Sequence, residues 1–168
     1  MQTELKLRIA SGVVLAAVAL VATWFGGLAF QLLSALIALL VYYEWSTITR
    51  MSETDFRANA FGWLSTVLVA ALVLFGFDEL ALPVLIAATL VGIVYAVALK
   101  GSGWLAGGIV YSGLTVISLA AIRGDTAHGF AAMLFIFAVV WATDILAYFV
   151  GRAIGGPKLA PPISPGKT

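Results

Sequence analysis

Asp144 is the residue whose type and place most demand a chemical explanation. It lies inside an apolar stretch, in Trp141-Ala142-Thr143-Asp144. A carboxylate at the middle of a membrane span costs about 2.5–3.5 kcal/mol even on the lenient insertion scale, so such residues face a polar cavity or a partner and are functional by default. On a helix, Tyr148 falls one turn on and Gly151 about two turns on, sharing the Asp144 face. Arg152, eight residues on, lies about 12 Å further along the axis. This face would hold a carboxylate deep in a pocket and a cation at its mouth. The structural alternative is a buried Asp paired with a neighbouring helix.

The residues that follow, 153–168, read Ala-Ile-Gly-Gly-Pro-Lys-Leu-Ala-Pro-Pro-Ile-Ser-Pro-Gly-Lys-Thr. Gly and Pro forbid a long helix here. With Arg152, the loop offers the cations Lys158 and Lys167 and the hydroxyls Ser164 and Thr168. That inventory suits phosphate oxygens, with lysine as a point charge and hydroxyls as donors. The closing Gly-Lys-Thr is not a P-loop: the motif needs glycine five residues before Gly166, where Pro161 stands, and a preceding strand. Glu44, beside Tyr43 and Trp45 at a predicted membrane edge, is read equally well as a solvated carboxylate or a functional one. His128 falls in a loop and is read as solvated. With no cysteine and one histidine, thiolate catalysis, disulfides and a zinc cluster are excluded.

The elements that must position these groups are membrane spans. The chain is 62% hydrophobic and 10% charged, against about 25% charged in soluble domains, and its mean hydropathy is +1.10. Six apolar segments, about 9–26, 28–43, 61–77, 80–99, 104–122 and 130–150, approach the ~20 residues that cross a bilayer. The predicted fold is therefore all-α, a polytopic transmembrane bundle of about six spans over 1–152, followed by a cytoplasmic Gly/Pro/Lys loop over 153–168. The first run is longer than a signal-peptide core and is followed at once by others, so it is read as a span. The second is short, entered through Gly26-Gly27 as a tight hairpin, with Tyr42, Tyr43 and Trp45 marking its interface end. Lys6, Arg8, Arg50, Arg57, Lys100, Arg152, Lys158 and Lys167 fall on one side, which the positive-inside rule assigns to the cytoplasm with both chain ends. The other side holds Asp78, Glu79, Arg123 and Asp125. Gly103, Gly107, Gly108 and Ser112 form a small-residue stripe for helix packing. The net charge of +1 and the lack of a basic patch exclude a nucleic-acid partner.

The run Trp141-Ala-Thr-Asp144-Ile-Leu-Ala-Tyr148-Phe-Val-Gly151-Arg152, then Gly155, Lys158-Leu159 and Ile163-Ser164-Pro165-Gly166-Lys167-Thr168, resembles the phosphatidate cytidylyltransferases, or CDP-diacylglycerol synthases. Their pattern is D-x-x-A-Y-x-x-G-R, a short basic loop, then S-P-K-K-T. Weaker support comes from Glu44-Trp45 and from 119–129 with Arg123 and Gly129. The resemblance implies that the phosphate of phosphatidic acid attacks the α-phosphorus of CTP, releasing pyrophosphate and forming CDP-diacylglycerol in phospholipid biosynthesis. It also implies Mg²⁺ or a similar divalent cation, with Asp144 as metal ligand and catalytic group, Lys167 as catalytic cation, and Arg152, Lys158, Ser164 and Thr168 as substrate-binding residues. The implied setting is the bacterial inner membrane, and a homodimer is compatible with it. Two departures accompany the likeness. Gly166 stands where the family has the first of two lysines. The family also continues past the position of Thr168 into further spans and a carboxyl-terminal motif, so the resemblance covers its amino-terminal portion and this chain alone is expected to be inactive. The competing readings are an inactive membrane fragment and a small transporter with Asp144 on an ion path.

Overall fold

A computed structural model describes residues 2–154, without the side chains of 2–5, 8, 148, 152 and 154. Every regular element among the described residues is helical: α1 (Gln2–Phe25), α2 (Gly27–Ile48), the single turn α3 (Met51–Thr54), α4 (Phe56–Leu74), α5 (Asp78–Ala98), α6 (Trp104–Arg123) and α7 (Ala127–Ile154). Helices α2, α4, α5, α6 and α7 are long and apolar enough to cross a membrane, and α1 adds a shorter apolar stretch, Ile9–Phe25. The chain is thus a polytopic, all-α integral membrane protein. It divides into two compact units, Met1–Phe130 and Ala131–Thr168. The boundary falls inside the continuous helix α7.

In the first unit α6 is the central helix, with α2, α4 and α5 packed on it and α1 lying on α2. The α1–α2 hairpin turns at Gly26 (φ 63°) and Gly27 (φ 46°), positive-φ backbone that glycine adopts without the Cβ clash other residues would meet. Buried hydroxyls bond to carbonyls one turn back, as in Ser34 Oγ to Phe30 O and Ser112 Oγ to Gly108 O, both 2.8 Å. In hydrocarbon no water is available to satisfy them otherwise.

The second span differs from expectation. It is not short: α2 runs through the aromatic cluster to Ile48. Tyr42 does not mark an interface, because its side chain is wholly buried. The ring packs edge-on against Trp63 at 5.1 Å, and its hydroxyl donates to Asn59 O at 3.2 Å. Two glycines make the room. A Cβ at Gly62 of α4 would overlap the Tyr42 phenol, and one at Gly108 of α6 would lie 2.6 Å from Trp45 Cδ1. Trp45 turns inward as well, donating Nε1–H to Trp104 O at 3.0 Å. The glycine stripe is real from Gly107 to Ser112 but does not include Gly103, around which an added Cβ would meet nothing within 4 Å. His128 lies not in a loop but in the first turn of α7, where it is exposed.

Candidate functional site

Asp144 sits on α7, in the second unit, and its side chain is exposed. The preceding turn is fixed locally. Thr143 Oγ1 donates to Val139 O and Val140 O, each at 2.8 Å, and Phe137 stacks on Trp141 with centroids 5.5 Å apart and planes 5° apart. Among the described residues no ion pair or hydrogen bond engages the Asp144 carboxylate. The backbone at Arg152 continues the same helix, two turns on. Lys158, Ser164, Lys167 and Thr168 lie outside the described residues, so the expected phosphate-binding loop has no geometry here.

No three His, Cys, Asp or Glu side chains gather into a metal cluster among the described residues. A dedicated protein cage of that kind is thus missing from them. What Asp144 does fit is the way magnesium is commonly held, by one or two carboxylates together with substrate phosphates and water.

A second polar constellation closes one end of the first unit, and no sequence pattern noted above identified it. Asp55 caps α4, its Oδ1 accepting from Ala58 N at 3.0 Å. The same oxygen accepts the Tyr95 hydroxyl at 3.0 Å, and Oδ2 accepts Ser102 N at 2.9 Å. Burial pushes the Asp55 carboxyl up, but the two backbone N–H groups, the Tyr95 hydroxyl and the nearby Arg57 outweigh it, leaving the group below its ordinary value. The sequence signal was available: an Asp immediately before an apolar helical run is a helix-start signature. Around this knot Arg50, Arg57 and Lys100 are exposed. Arg50 pairs with Glu53 at 3.0 Å, an exposed contact of small energetic weight. Nearby, Asn59 Oδ1 is buried without a hydrogen-bond partner. Glu44 is exposed at the same end.

At the other end, Arg123 is not a loop charge. It is the last residue of α6, 7% exposed, with Nε donating to Thr23 O at 2.7 Å and Nη1 to Gly124 O at 2.8 Å. Its burial removes it from the set of loop charges that set orientation.

The fold and site define a polytopic helical membrane protein with an exposed intramembrane carboxylate. Residues 6–168 match the model of the cytidylyltransferase family, and the chain belongs to that family. It is 40% identical over 166 residues to a phosphatidate cytidylyltransferase of Brucella abortus, across 99% of this chain and 61% of that protein. Phosphatidate cytidylyltransferases of Haemophilus influenzae and Bacillus subtilis are 46% and 36% identical over 57 and 66 residues, covering 34% and 39% of this chain and 20% and 24% of theirs. The chain thus spans about three fifths of the length of the Brucella relative. No solved structure matches it.

Proposed function

We propose that this chain takes part in the transfer of a cytidylyl group from CTP to phosphatidic acid, giving CDP-diacylglycerol and pyrophosphate in phospholipid biosynthesis. A phosphate oxygen of the lipid forms a new bond to the α-phosphorus of CTP, and the bond from that phosphorus to the pyrophosphate breaks. The observation that carries the reading is the exposed carboxylate of Asp144 on α7, free of a described partner, within the stretch that matches the family.

Asp144 would hold a divalent cation against the nucleotide phosphates, and the cation supplies charge neutralisation for the leaving pyrophosphate. Arg152, Lys158 and Lys167 would bind and orient phosphate oxygens, with Lys167 as the catalytic cation, while Ser164 and Thr168 would donate hydrogen bonds. Such transfers depend on positioning and electrostatics more than on covalent chemistry by the protein. The lipid is already concentrated in the bilayer, so the headgroup and the soluble nucleotide meet at the membrane face. By the positive-inside rule that face would be the cytoplasmic one, and the setting would be a bacterial inner membrane.

The test is an assay with labelled CTP, phosphatidic acid and Mg²⁺ in mixed micelles. It is run on the purified chain and on a full-length relative carrying the same Asp-x-x-Ala-Tyr-x-x-Gly-Arg sequence. Labelled CDP-diacylglycerol from the relative, abolished by Asp144→Asn at the matching position, is the expected result. Normal turnover of that variant would remove Asp144 from the mechanism.

A further inference from the structure

A cavity of about 350 Å³ opens beside Arg123, at the end of the first unit opposite Arg50, Arg57 and Lys100. Trp24, Phe25 and Phe130 wall it, Asp125 lines it, and Thr126 and Ala127 bring the start of α7 to its edge. Trp24 and Phe25 are 70% and 74% exposed, at a span end where aromatic rings lie level with lipid headgroups. Trp24 meets Phe130 edge-on at 5.6 Å, and the Arg123 guanidinium lies 5.6 Å from the Phe130 ring centre.

Arg123 is a buried cation whose described partners are carbonyls and a ring. The ion pair recorded among the described residues, Arg50–Glu53, is at the other end. Buried charges are ordinarily paired, because an isolated one costs several kcal/mol. Thr126 Oγ1 accepts from Gly129 N at 3.0 Å and Thr126 O from Phe130 N at 3.1 Å, which leaves the Ala127 N–H without a carbonyl acceptor in its own helix. A guanidinium and a helix N-terminus together attract phosphate. Asp125 in the same cavity disfavours a purely anionic ligand and favours one that also carries a cation.

We propose that this cavity seats the headgroup of an aminophospholipid from the adjoining leaflet, with its phosphodiester on Arg123 and the start of α7 and its primary ammonium toward Asp125. A primary ammonium can donate hydrogen bonds to a carboxylate, whereas a choline headgroup cannot. The bound lipid would tie the end of α1 to the α6–α7 turn. Its lining residues are none of those proposed for the cytidylyl transfer.

Native mass spectrometry of the purified chain, after exchange into micelles with equal phosphatidylethanolamine, phosphatidylglycerol and phosphatidylcholine, tests this. The wild-type chain should retain phosphatidylethanolamine in roughly tenfold preference or more, the scale of a hydrogen bond to a charged group. Arg123→Gln should lower its retention by a similar factor. Asp125→Asn, on an exposed residue, should keep lipid binding but lose the preference for ethanolamine over glycerol headgroups. Equal retention of the three lipids by the wild-type chain overturns the proposal. So does a folded Arg123→Gln chain that binds as wild type. If Arg123→Gln does not fold, an undiminished ethanolamine preference in Asp125→Asn overturns it, and a lost preference supports it.

Discussion

The Asp55 carboxylate accepts the backbone N–H of Ser102 at 2.9 Å, across 47 residues of chain. One side chain therefore caps α4 and holds the α5–α6 turn, with the Tyr95 hydroxyl as a third donor. Losing a helix cap costs about 0.5–2 kcal/mol, and Asp55→Ala would also strand two further donors at about 1 kcal/mol or more each. The expected loss of stability is about 2 kcal/mol or more. Because the folded Asp55 carboxyl lies below its ordinary value of 3.8, its contribution is complete above that pH. It is lost as pH falls through the lower folded value. Thermal unfolding of the micelle-bound chain between about pH 2 and pH 7 should show an acid decline in wild type that is flattened in Asp55→Asn. An unchanged acid limb would mean the carboxylate contributes nothing.

The glycines of α6 should separate sharply on mutation. A Cβ at Gly108 would lie 2.6 Å from Trp45 Cδ1 and 3.2 Å from Tyr42 Cε2, and both aromatic rings are held by other contacts. Gly103 has open space around its added Cβ. Gly108→Ala is expected to destabilise by about 1–3 kcal/mol, the usual scale of overpacking, and Gly103→Ala to stay within about 0.5 kcal/mol. Unfolding midpoints of the two variants under one detergent condition check the contrast. Equal midpoints would refute the packing assignment.

The helical, membrane-spanning character of the chain and the α1–α2 hairpin were legible because hydrocarbon thickness and glycine's backbone freedom act locally, residue by residue. The course of α2 was not. A Tyr-Tyr-Glu-Trp run has the composition of a membrane edge. Only the glycines of α4 and α6, distant in sequence, turn Tyr42 and Trp45 inward. Arg123 was misplaced for the same reason: beside Asp125 near a turn it reads as a loop charge, and its burial depends on the Thr23 carbonyl, 100 residues upstream. Asp55 could have been recognised as a helix cap, but its bonds to Tyr95 and Ser102 could not. Asp144 stood out because a carboxylate in an apolar run is costly whatever surrounds it.

Thr66 and Ser112 join α4 to α6 through hydroxyls 2.8 Å apart; one donates to the other, which keeps its own proton for the carbonyl one turn back in its helix. Interhelical hydrogen bonds in membranes average about 0.6 kcal/mol, with a maximum near 1.7. Thr66→Val and Ser112→Ala should each destabilise modestly, and the double variant should cost less than the sum of the two by about 0.6 kcal/mol. A double-mutant cycle on unfolding free energies measures the coupling. Strict additivity would show that the contact is geometric only.

Asp144→Asn separates a functional carboxylate from a structural one. The side chain is exposed and has no described partner, and asparagine nearly matches its shape, so folding should change by no more than about 0.5 kcal/mol. Function should change far more if the carboxylate holds a cation against the nucleotide phosphates. Losing a hydrogen-bond partner of a metal ligand already costs roughly 10–100-fold, and losing the ligand itself should cost more. In a full-length relative the expected result is at least a hundredfold fall in turnover, partly recovered by raising the Mg²⁺ concentration, with an unchanged melting temperature. The metal dependence distinguishes the roles: a carboxylate that only orients the lipid would raise KM for phosphatidic acid and leave the Mg²⁺ requirement where it was.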